Sequence, residues 1–177
     1  MNNEVLNDEF LKSIDSNYEF SNKPIRRLKK SQQPGEIKLQ LENLKKQIAE
    51  IDACDLKNHA NQLVFSDGNF RSKIMLVGEG PGQKEDEIGK PFMGDAGKLL
   101  NKMLAAIDIK RESIYITNVV NYRPPNNRKP TTAEINKYSK FLYEHIFIIN
   151  PKILIIMGGT AMEALIGNNF KISKERG

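Results

Sequence analysis

Short apolar runs alternate along this chain with stretches whose apolar residues recur every three or four positions. The runs that have the length of buried strands are residues 74–77, 113–120 and 153–157. The stretches with helical spacing are residues 36–53, 96–107, 131–149 and 160–166, and the apolar side of the second is predicted to carry Leu99, Leu100, Met103, Leu104 and Ile107. Such alternation is typical of a parallel sheet with right-handed crossovers. We therefore predict an α/β fold, in which the wholly apolar run 153–157 is covered on both faces.

The chain divides at about residue 35 into a tail and a domain. Residues 1–35 are polar and contain proline and glycine breakers, so we predict a flexible N-terminal tail before a domain over residues 36–177. Within the tail, residues 23–30 hold five Lys or Arg side chains among eight residues. We interpret this run as a solvated linker, with a basic arm that contacts DNA phosphate as the alternative.

Composition narrows the class of protein. Hydrophobic residues make up 39% of the 177 residues and charged residues 28%, which is typical of a globular domain. The formal net charge of +5 suits a nucleic-acid partner but does not require one. The single cysteine, Cys54, excludes an internal disulfide and fits a reducing compartment. Because no apolar run reaches transmembrane length and the N-terminus has no apolar signal core, we expect a cytoplasmic protein without a membrane partner.

Two loops follow the carboxyl ends of the first two predicted strands, where open α/β sheets bind their ligands. Residues 78–97 place twenty positions, rich in glycine, proline and carboxylates, between a strand and a helix. Loops of such length are usually functional. Residues 121–130 carry Arg123, Arg128 and Lys129 on a proline-stiffened backbone. We predict that this second loop contacts DNA phosphate, with an ordinary connection between strand and helix as the alternative.

Two other kinds of site find less support in the sequence. The turn that contains Gly78, Gly80 and Gly82 departs from a dinucleotide-binding fingerprint, because Gln83 stands where the third glycine is needed. A protein that binds a nucleotide cofactor is therefore only an alternative. Neither histidine has a paired spacing with acidic residues that would indicate a metal site, so no metal is predicted.

Several motifs, taken in order, resemble one known family. They are GEGPG at 78–82, ED at 85–86, GKPFMG at 89–94, AG at 96–97, YITNVV at 115–120, RPP at 123–125, NR at 127–128, PK at 151–152 and GGTA at 158–161. From about residue 36 to 177, this order resembles the family-four uracil-DNA glycosylases, the thermophile-type branch of their superfamily. The resemblance implies a three-layer α/β/α sandwich with a short parallel sheet. It also implies hydrolysis of the N-glycosidic bond of deoxyuridine in DNA, within base excision repair.

The resemblance assigns roles to five residues, and makes Glu79, Glu85 and Asn118 the catalytic candidates. Phe92 corresponds to the aromatic residue on which a flipped uracil stacks, and Asn118 to the asparagine that reads the base edge. Glu79 and Gly80 correspond to the floor of the base pocket, and Glu85 to an acidic position near the sugar and the attacking water. The implied partner is uracil-containing DNA. The alternatives are a core residue for Phe92, a turn cap for Asn118 and solvated loop acids for the two glutamates.

Two departures from the family pattern change these expectations. Family members hold an iron–sulfur cluster through four cysteines. Here Cys54 matches the first, and the other three positions hold Lys57, Tyr122 and Tyr138. We predict that the cluster is absent, because one thiolate cannot replace four.

The second departure is that the family continues past the position of Gly177 with a further strand and a His-Pro-Ser segment. Without them, we expect a sheet that lacks its last strand, an apolar strand at an open edge, and reduced or lost activity. A separate C-terminal fragment is then an expected partner, and the complete protein is expected to be a monomer. The alternative function is a catalytically silent remnant that binds DNA or a protein partner through the same loops.

Overall fold

The computed structural model describes residues 34–52, 54–167, 170 and 172–175. The basic run 23–30 and nearly all of the predicted tail lie outside the described residues. The first helix begins at Pro34, two residues before the predicted start of the domain. Proline is well suited to the first turn of a helix, where its missing N–H would have no intrahelical partner. None of the described helices combines the length and apolarity needed to cross a membrane.

Helices and strands alternate along the described chain as the sequence predicts. The helices are α1 (Pro34–Ala49), α2 (Asp55–His59), α3 (Gln83–Ile88), α4 (Asp95–Ala105), α5 (Thr132–Ile149), α6 (Gly159–Leu165) and α7 (Ile172–Glu175). The strands are β1 (Asp67–Gly68), β2 (Ile74–Gly78), β3 (Tyr115–Asn118) and β4 (Ile153–Ile156), with 3₁₀ turns at Arg111–Ser113 and Pro125–Asn127. Four short elements, α2, α3, α7 and β1, are additions to the prediction.

The four strands form one sheet in the order β1-β3-β2-β4. Strand β2 pairs in parallel with both β3 and β4. The predicted strands are thus parallel, whereas the unpredicted strand β1 pairs antiparallel with β3 and makes the sheet mixed. A strand of two residues is too short to show the alternation or apolar run by which strands are recognised in a sequence.

Successive side chains of the central strands enter two different cores, because they point to opposite faces of the sheet. Met75, Val77 and Tyr115 belong to the core that is completed by α1, α5 and α6. Leu76 and Ile116 belong to the core that is completed by α4. Helices therefore cover both faces of the sheet, and the predicted three-layer α/β/α architecture is confirmed.

Helix α4 buries only part of its predicted apolar side. Leu100 and Leu104 are buried, whereas Leu99, Met103 and Ile107 are 59%, 52% and 63% exposed. The two buried leucines are four residues apart and lie on one face of the helix. That face alone packs against the sheet.

Strand β4 lies at the edge of the sheet and pairs with β2 alone among the described strands. Ile153 is 55% exposed, and the three residues after it are partly buried. Leu154 and Ile156 pack against the core that α1, α5 and α6 complete, and Ile155 packs against the other core, so the predicted coverage of both faces is present but partial. An apolar run records a preference for burial, whereas actual coverage depends on the elements that pack beside it.

Candidate active site

A cavity of about 490 Å³ opens at the carboxyl ends of β2 and β3. All five residues that the sequence assigns to a base pocket line it, namely Glu79, Gly80, Glu85, Phe92 and Asn118. They come from two separate segments of the chain. Because β2 and β3 are parallel neighbours, both segments leave the sheet at the same edge.

Gly78 and Asn118 are the last residues of β2 and β3 and face each other in the parallel register. A side-chain carbon added to Gly78 would lie 2.5 Å from Asn118 Oδ1 and 2.6 Å from Phe92 Cε2 and Cζ. The amide and the aromatic ring therefore approach each other over the bare backbone of Gly78. Only glycine leaves this space open.

The amide of Asn118 is directed to this cavity rather than into the protein. The residue is 4% exposed and lines the cavity, and the hydrogen bonds among the described residues leave its side chain unused. A side-chain amide presents N–H donors and a carbonyl acceptor next to each other. It can therefore read a planar partner that offers one acceptor and one donor.

Glu85 is a buried carboxylate that organises the loop around the cavity. Its Oε1 accepts hydrogen bonds from the backbone N–H groups of Met93 at 2.8 Å and Gly94 at 2.7 Å. Its Oε2 accepts from the N–H of Gly82 at 3.1 Å. Burial alone would raise the pKa of Glu85, but these backbone donors outweigh it and lower the pKa. Glu85 is therefore a fixed negative charge at the cavity wall.

Glu79 is the second carboxylate of the cavity and is exposed to solvent. Its Oε2 accepts a hydrogen bond from the hydroxyl of Thr160, a buried residue in the first turn of α6. This bond links the end of β2 to the segment that follows β4. The site thus holds one accessible carboxylate and one that is enclosed by backbone N–H groups.

Two of the three basic residues predicted to contact DNA are already paired with acidic side chains. Arg128 donates from Nη1 and Nη2 to the two carboxylate oxygens of Glu134 at 2.8 and 2.6 Å. Lys129 Nζ lies 3.7 Å from Glu163 Oε2. The hydrogen bonds from Arg128 are the main reason that the pKa of Glu134 falls to about 2. Both cations are therefore held in place beside the start of α5.

Arg123 differs from its two neighbours in the loop, since its Nε donates to the neutral amide oxygen of Asn127 at 2.7 Å. A smaller cavity of about 110 Å³ lies beside this loop and shares Glu79 and Gly80 with the larger one. Arg128 also lines it. The basic loop and the glycine-rich turn therefore border one continuous surface region.

Comparison with known proteins identifies the family. Residues 65–176 match the uracil DNA glycosylase superfamily.

The chain belongs to this superfamily.

Among its relatives, a type-4 uracil-DNA glycosylase of Thermotoga maritima is 41% identical over 138 residues, which are 77% of this chain and 72% of the relative. A type-4 uracil-DNA glycosylase of Archaeoglobus fulgidus is 42% identical over 123 residues, which are 70% of this chain and 62% of the relative. A type-4 uracil-DNA glycosylase of Sulfurisphaera tokodaii is 41% identical over 142 residues, with 64% of the relative covered. The chain thus spans less than two thirds of the length of two of these three proteins.

The residues at the four positions that hold an iron–sulfur cluster in family four do not fit such a cluster here. Cys54 is buried, and its Sγ lies 3.1 Å from the hydroxyl of Tyr138. Lys57 Nζ donates instead to the backbone carbonyl of Ala49. Tyr122 is also buried, and its pKa is raised by burial and by the nearby Cys54. Tetrahedral iron sites in such clusters need thiolate ligands, and this set offers one.

Sequence reasoning missed two residues that contact the lining of this cavity. Arg111 donates hydrogen bonds to the backbone carbonyls of Pro91 and Phe92, although nothing in its sequence surroundings marks it. Thr160, the partner of Glu79, lies within the GGTA motif, so that motif was a signal that could have found it.

Proposed function

We propose that this member of the superfamily hydrolyses the N-glycosidic bond of deoxyuridine in DNA. The observation that carries the proposal is the close approach of the Phe92 ring and the Asn118 amide over Gly78, at the carboxyl ends of β2 and β3. The cavity of about 490 Å³ lies within the usual range for small-molecule sites, about 300–1,000 Å³. The type-4 uracil-DNA glycosylases among its relatives support the same activity.

Recognition of the base follows from the chemistry of these two side chains. A uracil that has left the helical stack can place its face on the Phe92 ring and its edge against Asn118. The amide can donate to O4 and accept from N3–H at the same time. Cytosine has a donor at position 4 and an acceptor at N3, so the same orientation of the amide would be mismatched twice.

The two carboxylates take different parts in the proposed reaction. A water molecule attacks the anomeric carbon, the C–N bond to uracil breaks, and the departing base carries the electron pair. Positive charge develops on the sugar, and the fixed negative charge of Glu85 favours it. Glu79 is exposed at the cavity and is the carboxylate that orients the water and receives its proton.

The basic loop supplies the proposed contact with DNA phosphate. The side chain of Arg128 is 40% exposed and its guanidinium group has further N–H donors beyond those bonded to Glu134, so a phosphate can bind it without displacing the carboxylate. Arg123 is bonded to a neutral amide and can turn to a phosphate without separating opposite charges. Arg123, Arg128 and Lys129 would then hold the strand while its base enters the cavity.

We further propose that this glycosylase works without an iron–sulfur cluster. The support is the chemistry of the ligand positions, where the Tyr138 hydroxyl and the only thiol share a hydrogen bond and Lys57 donates to a helix carbonyl. Tyr122 and Tyr138 are both buried next to Cys54, and aromatic side chains bury large areas. Packing of these rings takes the place of metal coordination in joining the segments.

The test is a base-release assay on the full chain with a labelled single-stranded oligonucleotide that contains one deoxyuridine. We expect release of uracil and strand breakage after alkali, with no release from the same oligonucleotide that contains deoxycytidine. Asn118→Ala is expected to lower the rate by about 10²–10³-fold, the usual effect of removing one preorganised donor. Asn136→Ala is the matched control, because Asn136 is exposed on α5.

Binding of the oligonucleotide without release of uracil would reject the enzymatic proposal and favour the silent DNA-binding remnant. Release that survives Asn118→Ala would reject the assigned base readout. A rate that follows Asn118 but not Asn136 would support both. Glu79→Gln separates the roles of the carboxylates, because it should lower the rate of bond cleavage while binding of the oligonucleotide persists.

A further inference from the structure

Arg111 reaches from the turn before β3 to the loop that carries Phe92. Its Nη2 donates to the carbonyl of Pro91 at 2.6 Å, and its Nη1 donates to the carbonyl of Phe92 at 3.1 Å. Nη1 also lies 3.2 Å from Asn101 Oδ1, and Nη2 lies 3.9 Å from Met93 Sδ. One guanidinium group therefore donates hydrogen bonds to two successive backbone carbonyls, those of Pro91 and Phe92.

The backbone that Arg111 holds is a conformation that Phe92 would not adopt without support. Phe92 has φ = 55°, in the left-handed region that disfavours side chains with a Cβ. Such a conformation persists only where the surroundings over-determine it, and it is found most often at functional sites. A side-chain carbon on Gly97 would lie 1.8 Å from the Phe92 carbonyl oxygen, so this carbonyl rests directly on the first turn of α4.

Two side chains of opposite charge share the peptide groups of this loop. Arg111 takes the carbonyls of Pro91 and Phe92, and Glu85 takes the N–H groups of Met93 and Gly94. The guanidinium fork can satisfy two carbonyls at once, which the single ammonium group of a lysine cannot do with the same geometry. The direction of the Phe92 ring is therefore set from both sides.

Asp67 forms an ion pair with the guanidinium group of Arg111. Arg111 Nε lies 3.0 Å from Asp67 Oδ2, and the two side chains are only 17% and 19% exposed. Lys90 Nζ lies 3.2 Å from the other oxygen of Asp67 but is 55% exposed. Asp67 stands on β1, which pairs with β3. The short unpredicted strand thus places the carboxylate that orients Arg111.

We infer that Arg111 is a positioning residue of the base pocket, which acts through the Pro91 and Phe92 carbonyls to aim the Phe92 ring at the flipped base. The inference rests on the proposed function, because a flipped uracil is the base that stacks on this ring. It goes further by naming the group that holds the stacking surface in its left-handed conformation.

The chain contains no tryptophan, so Phe92→Trp introduces a single fluorescent reporter at the stacking position. In this background, Arg111→Met should shift the emission towards longer wavelength and raise quenching by acrylamide, because the ring is released to solvent. Arg111→Lys should restore part of the native signal. Lys90→Met is the matched control, because it removes the other cation of Asp67 but no contact to the carbonyls, and it should leave the emission unchanged.

Activity provides the second readout. With Phe92 present, Arg111→Met should lower kcat/KM for uracil release by about 10²-fold per folded molecule, the scale of a misplaced reacting group. In the Phe92→Ala background the same change should have little further effect, because the residue through which Arg111 acts is gone. Circular dichroism gives the folded fraction by which each rate is divided.

Equal emission for Arg111→Met and Lys90→Met would overturn the inference, as would full additivity with Phe92→Ala. The emission of the reporter needs no substrate. If the native chain releases no uracil but the emission still depends on Arg111, the proposed function fails while the positioning of residue 92 stands. If uracil is released but Arg111→Met leaves the emission unchanged, the inference about Arg111 is wrong while the proposed function stands.

Discussion

The amide oxygen of Asn118 lies 2.5 Å from the point where a side chain on Gly78 would begin. The contact joins the last residues of two neighbouring parallel strands. The space between the Asn118 amide and the Phe92 ring is thus kept open by a missing side chain at the end of β2.

Substitution of Gly78 by alanine should therefore damage the site more than the fold. The added methyl group would meet both the Asn118 amide and the Phe92 ring, and a displacement of about 1 Å can lower a rate by about 10²-fold. Single-turnover uracil release measures the effect. Gly35→Ala is the control, because no atom lies within 4 Å of an added carbon there. Native activity in Gly78→Ala would contradict the pocket geometry.

His145 predicts a dependence of stability on pH. It is 2% exposed, its ring stacks on Phe65 with centroids 4.5 Å apart, and its Nε2 lies 2.6 Å from the Tyr115 hydroxyl. Burial lowers the pKa of His145 to about 3, from an ordinary value of 6.5. Below about pH 6.5 this histidine binds a proton in the unfolded chain but stays neutral in the folded chain. The free energy of unfolding therefore falls as the pH falls from 6.5 towards 3.

Urea unfolding between pH 7.5 and pH 4.5 measures this loss. The free energy of unfolding should fall by up to about 1.4 kcal/mol per pH unit from this residue, and His145→Gln should flatten the slope while lowering stability at pH 7.5. His59→Gln is the matched control, because His59 is exposed at the end of α2. A slope that is the same in all three proteins would contradict the assignment.

Arg123 predicts a change in the salt dependence of DNA binding. If it contacts one phosphate of a single strand, Arg123→Ala should reduce the slope of log K against log salt concentration by about 0.7. Titrations of a fluorescent oligonucleotide at several salt concentrations give the slope. Lys45→Ala, which changes an exposed charge on α1, should leave it unchanged. An unchanged slope in Arg123→Ala would remove this residue from the DNA contact.

The Cys54–Tyr138 pair predicts stability that does not depend on iron. Purified chain should contain no stoichiometric iron, and chelators should leave the unfolding temperature unchanged. Tyr138→Phe should lower the free energy of unfolding by about 1 kcal/mol, because the hydrogen bond to Cys54 Sγ is lost. Stoichiometric iron in the native chain, or unfolding by a chelator, would contradict this prediction.

Restoring the cysteines tests the same positions in the opposite direction. The triple variant Lys57→Cys, Tyr122→Cys and Tyr138→Cys should take up iron and sulfide and gain visible absorbance, because it again offers four thiolates. The same variant with Cys54→Ala is the matched control and should take up less. Equal uptake in both would show that these positions do not form one ligand set.

Local signals in the sequence were enough to predict the long elements of the fold. The helix α5, for example, begins after Thr131, whose side chain and that of Glu134 satisfy each other's backbone N–H groups in a capping box. Helix α3 escaped prediction for a physical reason. Its buried residues are Glu85 and Asp86, so it has no apolar stripe, and Asp86 is satisfied by the N–H groups of Asn61 and Gln62 in a distant segment.

The sequence by itself determined the α/β class and the two loops at the carboxyl ends of the strands, because these follow from periodicity. Its ordered motifs also indicated the residues that line the cavity, through the family resemblance that they carry. Only the tertiary structure decided that Arg111 supports Phe92, that Arg128 is paired with Glu134 and that β1 pairs with β3. The reason is that a side chain's partners depend on the order of strands in the sheet and on the packing of loops. Residues far apart in sequence meet there without leaving a local pattern.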